Sequence, residues 1–294
     1  MAVAQNKFDE YIAEEVRKIK GVATPVRSSL LRRIFVRRLP PARLHPNPED
    51  EFCNPEIGPN REIISHYGQM IRAAREDRQR DCFKEPITVE RILPDGYMIL
   101  NGHHRWAAAV RNQVARVPVK IVNLTREKDI LNMLRSARRD KRVTLDLDEV
   151  VFCAEEDEPA EKAPFFLLRR FFPERLRLGV PALFRFLGFQ GYDIWVYTAR
   201  LESHDRIRAL LWLYHSDVCG IVTGTEGKHG ANPETSEDLK RRIAERYPQT
   251  LHIDSKTVLS IDSRNKSFRE FPLGGTAADW SREIMEIVER LKNA

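Results

Sequence analysis

Hydrophobic and polar positions alternate differently in the two halves of this chain. In the first half, residues 8–20 carry apolar side chains at helical spacing and stop at Gly21 and Pro25. Residues 33–39 predict a strand closed by Pro40-Pro41, residues 47–60 a loop rich in Pro, Asn and acids, and residues 61–78 a helix. Two short apolar runs, 87–93 and 97–100, flank Pro94-Asp95-Gly96 and predict a hairpin. Asn101-Gly102 then opens a helix running to about residue 111, followed by a strand at 117–122 and a helix at 126–138.

After the basic run at 138–142 the rhythm changes. Residues 142–147 form a short strand of the buried type that ends in acids, and strands follow at 194–197, 220–222 and 250–253. Helices are predicted between them at 181–188, 204–214 and 236–246. Strands alternating with helices imply a parallel sheet with crossovers, whose site lies in the loops at the strand carboxyl ends. The predicted organisation is α/β: a helix and basic segment over 1–32, an α+β domain over 33–138, and a Rossmann-like parallel-sheet domain over 139–294.

Composition narrows the class. With 42% apolar and 31% charged residues the chain can bury real cores and reads as soluble. No apolar run approaches the roughly 20 residues of a membrane span, and the N-terminus lacks the apolar stretch of a signal peptide. Cys53, Cys82, Cys153 and Cys219 lie far apart, which reads as free thiols in a reducing, cytoplasmic setting. The net charge of +6 is uneven, with one basic cluster between Arg17 and Arg43 and a second at Arg135-Ser-Ala-Arg-Arg-Asp-Lys-Arg142. Such clusters suit an anionic partner such as nucleic acid, and equally suit a solvated face.

The chemistry-bearing motif of the second half is Val143-Thr-Leu-Asp146-Leu-Asp148. A strand that ends on Asp146 and bends at once can return Asp148 to the same pocket. One carboxylate can then attack phosphorus while the other protonates the leaving oxygen. Attacker and substrate are both anions, so a divalent cation with oxygen ligands is required, and magnesium fits. A second strand ends at Thr198, whose hydroxyl could grip a phosphate oxygen, and a third ends at Asp254, suited to the metal. The lysine that would neutralise the phosphoryl group is Lys240 or Lys228.

This order of D-x-D, V-Y-T, Lys and I-D resembles the four motifs of the haloacid dehalogenase-like phosphatase superfamily over about residues 142–271. The resemblance implies Asp146 as nucleophile, Asp148 as acid/base, Thr198 as phosphate-binding hydroxyl, and Asp146, Asp148 and Asp254 as magnesium ligands. Asp254 is followed by Ser255 where the family often has a second acid, and Asp262 is a competing placement. The insert at 154–177, with Phe165, Phe166, Phe171 and Phe172, implies a minimal cap and an open site.

In the first half the salient motif is Leu100-Asn-Gly102-His103-His104-Arg105. A glycine at a strand-to-helix turn exposes backbone N–H groups, and His104 and Arg105 add positive charge there, which together make a phosphate site. With Glu85-Pro-Ile-Thr-Val89 and Val117-Pro-Val-Lys-Ile-Val122, this segment resembles the ParB/sulfiredoxin fold over about residues 35–124. Its G-H-H-R turn is most similar to the free serine kinases of that fold, which implies ATP or another nucleoside phosphate bound by Gly102, His103, His104 and Arg105. Such a kinase needs an acidic base in the 44–51 segment; any of Glu49, Asp50 and Glu51 could serve, with Glu49 and Glu51 as the site candidates. No Walker A motif accompanies it.

The combined expectation is a bifunctional enzyme: a magnesium-dependent phosphatase acting on a phosphate ester, joined to a nucleotide-dependent kinase, suited to repairing DNA or RNA ends. Two other expectations compete with it, a phosphatase regulated by a ParB-like nucleotide- or DNA-binding module and a small-metabolite kinase/phosphatase.

Overall fold

The computed structural model describes residues 2–54, 56–79, 81–153, 158–162, 172–224, 237–275 and 279–292, with side chains from residue 7 onward. The chain forms two compact units that part between Asn123 and Leu124.

The first unit runs α1 (Ala2–Ile19), β1 (Thr24–Pro25), α2 (Leu30–Phe35), β2 (Arg38–Leu39), β3 (Leu44–Pro46), α3 (Arg61–Glu76), β4 (Ile87–Leu93), β5 (Tyr97–Asn101), α4 (His103–Arg111) and β6 (Val117–Val122). Its sheet has the order β2-β6-β4-β5-β3, with β1 on β4. The expected hairpin is present as the antiparallel β4–β5 pair. A strand at 33–39 is not: Ser29 caps a helix there by accepting a hydrogen bond from Arg32 N, and only Arg38 and Leu39 are extended. The Ser-Leu-Leu-Arg-Arg series favours a capped helical turn over an extended run. Asn60 opens α3 in the same way, accepting from the Glu62 and Ile63 amides. The core gathers around Trp106, which is fully buried and donates its indole N–H to the Pro41 carbonyl at 3.0 Å. Three consecutive alanines, Ala107 to Ala109, let α4 lie close to its neighbours in that core.

The second unit contains α5 (Glu127–Ser136), β7 (Lys141–Asp146), α6 (Val180–Phe189), β8 (Tyr192–Thr198), α7 (His204–Leu213), β9 (Gly220–Thr223), α8 (Glu237–Arg246), β10 (Gln249–Ile253), β11 (Thr257–Asp262), β12 (Ser267–Pro272) and α9 (Trp280–Lys292). The predicted division at 138/139 leaves α5 with the first domain; the structure groups it with the second. The reason is packing, since Ile130 and Leu134 share a core with Trp195, Val222 and Leu239. The sheet order is β12-β11-β10-β7-β8-β9. Strands β10, β7, β8 and β9 are parallel, as the alternating pattern predicts. The β11–β12 hairpin was not foreseen: β12 is largely exposed and has no alternation to mark it. The fold is thus mixed α/β, with parallel and antiparallel strands in both sheets.

Arg142, part of the second basic cluster, is not on a solvated face. It is buried between the Trp195 and Tyr247 rings and donates to Tyr197 Oη at 3.0 Å. Next to it, His252 on β10 lies 2.5 Å from Thr144 Oγ1. Burial, with a smaller contribution from Arg142, pushes the His252 pKa from 6.5 down to about 4. A depressed folded-state pKa means that the unfolded chain binds a proton near pH 6.5 while the folded chain does not. Stability is therefore complete above that pH and is lost as pH falls from 6.5 towards 4. Chemical denaturation of the second unit should show a lower midpoint at pH 5 than at pH 7, and His252→Gln should flatten the difference. An unchanged pH profile in that variant would sink the assignment.

Among the described residues no helix is long and apolar enough to cross a membrane. The four cysteines are free.

Candidate active site and candidate phosphate turn

β7 lies between β8 and β10, so its carboxyl end has a strand end on either side. Asp146 terminates β7 opposite Tyr197 of β8, and Ile253 of β10 pairs with Leu145. Asp146, Thr198 and Asp254 therefore occupy one edge of the sheet, as expected from three strands that end in polar residues.

After Asp146 the chain turns at once into a π-helical turn over Leu147–Val151. Asp146 Oδ1 accepts hydrogen bonds from the Asp148 and Glu149 amides at 2.7 and 2.8 Å. Those bonds fix the carboxylate plane and leave Oδ2 without a donor among the described residues. The bend returns Asp148 to the same edge, where its Oδ2 accepts from Thr198 Oγ1 at 2.7 Å. Arg200 Nε lies 2.7 Å from Asp148 Oδ1, an ion pair whose direction leaves that buried oxygen without a true hydrogen bond. Thr198 Oγ1 in turn accepts from the Arg200 amide at 3.1 Å. Thr198 is thus engaged in holding Asp148, rather than standing free for a phosphate oxygen. Arg200 is the residue the sequence reading passed over; its only signal was its place in the loop directly after the Thr198 strand end.

The remaining candidates are placed differently. Asp254 is exposed and turned into its own hairpin, where it accepts from the backbone and hydroxyl of Ser255. Among the described residues no three acids, histidines or cysteines are grouped so as to hold a metal ion. Asp146, Asp148 and Asp254 are therefore not drawn into one ligand set; the short hairpin into β11 keeps Asp254 satisfied locally. Asp262 is ruled out as the alternative ligand because β11 runs antiparallel to β10. Asp262 pairs with Gln249 at the opposite edge and binds Arg264 there. Lys240 is exposed on α8 and bridges Glu237 at 3.0 Å, so its charge is spent on its own helix. Lys228, Phe165, Phe166 and Phe171 lie outside the described residues.

In the first unit Gly102 caps α4 in the left-handed region, φ 101°, where glycine alone is unstrained. Both histidines that follow accept hydrogen bonds from loop amides: His103 Nε2 from Asn47 N, and His104 Nε2 from Asn60 N, each at 3.1 Å. An accepting Nε2 places the ring proton of the neutral form on Nδ1. For His103 that nitrogen lies 3.5 Å from Asp50 Oδ2. Burial lowers the His104 pKa, with Asp50 opposing it weakly, so His104 is neutral at neutral pH. Arg105 is only 7% exposed. Its guanidinium donates to the Glu85 and Pro86 carbonyls at 2.8 and 3.2 Å and to Asn101 Oδ1 at 3.1 Å.

The expected phosphate donors are therefore largely committed to the protein itself. What remains for an anion is the positive end of α4, with two histidines in its first turn. Of the three acids in the preceding segment, Asp50 reaches the turn, while Glu49 and Glu51 are exposed. Asp50 is fixed there because it also caps the short turn over Glu51–Cys53, accepting from Phe52 N at 2.9 Å.

A comparison with curated proteins finds no match to this chain. The family comparison does find one, and it falls on the segment that carries the Gly102–Arg105 turn. Residues 59–137, from just before α3 through α5, match the ParB N-terminal domain family.

Proposed function

We propose that the second unit is a phosphomonoesterase working through an aspartyl-phosphate on Asp146. The observation that carries this reading is the Asp146–Asp148 pair, with one Asp146 oxygen pinned by two amides and the other open. In the first step Asp146 Oδ2 attacks phosphorus, the bond to the leaving oxygen breaks, and protonated Asp148 gives that oxygen its proton. In the second, water attacks the acyl phosphate and gives a proton back to Asp148, which releases inorganic phosphate and restores the Asp146 carboxylate and the Asp148 acid. Thr198 orients Asp148, and Arg200 supplies positive charge beside it.

The residues at this edge are compatible with magnesium, which characteristically uses one or two carboxylates together with substrate oxygens and water. Asp146 would hold it through Oδ2, which receives no hydrogen bond from the described residues, whereas both Asp148 oxygens already face Thr198 and Arg200. When bound, the ion would offset repulsion between the carboxylates and the phosphate ester.

A test of the acid role compares two kinds of ester. Asp148→Asn should slow release of phosphate from an alkyl phosphate about 100- to 10,000-fold. It should slow p-nitrophenyl phosphate far less, because that leaving group departs without a proton. Equal losses on both esters would remove Asp148 from the acid role.

For the first unit, similarity to the ParB N-terminal domain family supports a module that binds nucleotide or nucleic acid. The narrower reading is a kinase that uses ATP to phosphorylate a hydroxyl, with Asp50 rather than Glu49 or Glu51 as base. Its support is the position of Asp50 beside the first turn of α4. ATP-dependent phosphorylation of an oligonucleotide 5′-hydroxyl or of serine, lost in Asp50→Asn, is what the kinase reading requires. Nucleotide binding without transfer would leave a regulatory module.

A further inference from the structure

The edge of the second sheet opposite Asp146 carries a cleft of about 580 Å³ with no role in the chemistry above. Its walls come from the end of α5 and the chain after it, from α6, from α7, and from the starts of β8 and β9. Four arginines line it: Arg138, Arg139, Arg185 and Arg208. None of them is in an ion pair among the described residues.

Two of the four have a structural task. Arg139 donates to the Tyr192 carbonyl, and Arg208 to the Val218 carbonyl at 3.1 Å. The other two, Arg138 and Arg185, are exposed and make no hydrogen bond or ion pair among the described residues. Two acids share the cleft. Asp193 is buried and already covered by Tyr247 Oη at 2.9 Å and Cys219 Sγ at 3.4 Å, so only Asp217 opposes the cationic wall.

Helices that cross over a parallel sheet end at this edge, and cations near helix C-termini offset the helix dipole. That accounts for one charge at each helix end and for the two arginines bonded to carbonyls. It does not account for two further guanidiniums kept open over a cleft. Tyr192 also lines a second cleft of about 490 Å³ at the same edge, to which Lys141, Arg269 and Lys292 contribute. Basic side chains thus continue from one cleft into the next.

Of two exposed aromatic rings on the helices that wall these clefts, one lines the track itself. Phe189, the last residue of α6, is 89% exposed and lines the second cleft. Trp212, one helical turn beyond Arg208 on α7, is 66% exposed. A basic groove that follows a phosphodiester backbone, flanked by rings on which bases stack, is the composition of a single-strand nucleic-acid surface. Guanidinium forks suit phosphate oxygens in particular.

We propose that this edge of the second unit binds single-stranded nucleic acid, with Arg138 and Arg185 on its phosphates and Phe189 and Trp212 under its bases. The proposal does not depend on the phosphatase reading, and none of these residues belongs to that site.

The test is fluorescence anisotropy of a labelled oligothymidylate with the full chain across a salt series. Arg138→Glu/Arg185→Glu should weaken binding at least about tenfold and lower the salt slope by about 1.4, the value for two single-strand phosphate contacts. Phe189→Ala/Trp212→Ala should weaken binding by about tenfold or more with the slope unchanged, because stacking releases no counterions. Both variants should melt close to the wild-type temperature, since these side chains are exposed. Wild-type affinity in both variants would overturn the proposal. So would a charge-reversed variant that binds normally but melts earlier, which would make the arginines dipole partners only. Displacement of the oligonucleotide by pyrophosphate at equal phosphate concentration would also overturn it, assigning the cleft to a small anion.

Discussion

Asp146→Asn is expected to abolish phosphate release from any ester the protein hydrolyses, by a factor on the order of 10,000 or more. The substitution is informative because it changes so little else. Asn keeps an Oδ1 that can accept from the Asp148 and Glu149 amides at the same 2.7 and 2.8 Å, so the turn after β7 is retained. What it loses is the second carboxylate oxygen, the nucleophile, and with it the charge that would hold magnesium. Unfolding transitions should superimpose on the wild type while single-turnover phosphate release disappears. Chelation of magnesium should have the same effect on the unmodified protein. Retention of more than a tenth of the wild-type rate in Asp146→Asn would end the aspartyl-phosphate reading, whichever ester had been used.

Arg105→Ala is expected to destabilise the first unit by about 3 to 5 kcal/mol. The side chain bonds two backbone carbonyls and the Asn101 amide oxygen from a nearly buried position. Truncation strands those acceptors and leaves a cavity next to Gly102, where a Cβ on residue 102 would come within 3.1 Å of the guanidinium. Trp106 is the only tryptophan among residues 1–123, so selective tracking of its emission during denaturation follows this unit. Arg105→Lys should recover only part of the loss, because an ammonium cannot span three acceptors in one plane. If Arg105→Ala unfolds with the wild-type midpoint, the guanidinium is not structural and its assignment to a bound phosphate revives. This outcome matters for any binding assay, since loss of nucleotide affinity in Arg105→Ala would otherwise be misread. Asp50→Asn is the cleaner probe of transfer chemistry.

The parallel strands of the second sheet were legible because burial on both faces writes a continuous apolar run and crossover helices write a 3.6-residue period. Asp146, Asp148 and Thr198 were legible for a related reason: polar residues that end such runs must fall at the carboxyl edge. The Gly102 turn was equally local, since a strand that breaks into a helix on a glycine needs only its neighbours to form. Illegible were the partners those side chains choose. Thr198 could be placed at the edge, but its bond to Asp148 depends on the pairing of β7 with β8. Arg200 and Asp50 gave little signal, because each gains its role only from a neighbour some 50 residues distant in the chain.

The same distinction explains the corrections. Asp262 ends an apolar strand as Asp254 does, yet an antiparallel hairpin carries it to the far edge. Arg142 belongs to a run of basic residues that reads as one surface. Strand periodicity instead turns it inward between two aromatic rings, while Arg138, in the chain between α5 and β7, stays exposed.

By itself, then, the order of residues determined which segments become strands and helices over most of the chain, and which carboxylates end on the candidate edge. Those outcomes follow from hydrophobic period and turn chemistry, which act over a few residues. Only the tertiary structure decided that Asp148 is held by Thr198 and Arg200, that Asp254 keeps to its own hairpin, and that Arg105 faces the protein rather than a ligand. Each of these depends on strand register or on which backbone groups are left unpaired, and both are settled only when distant segments pack.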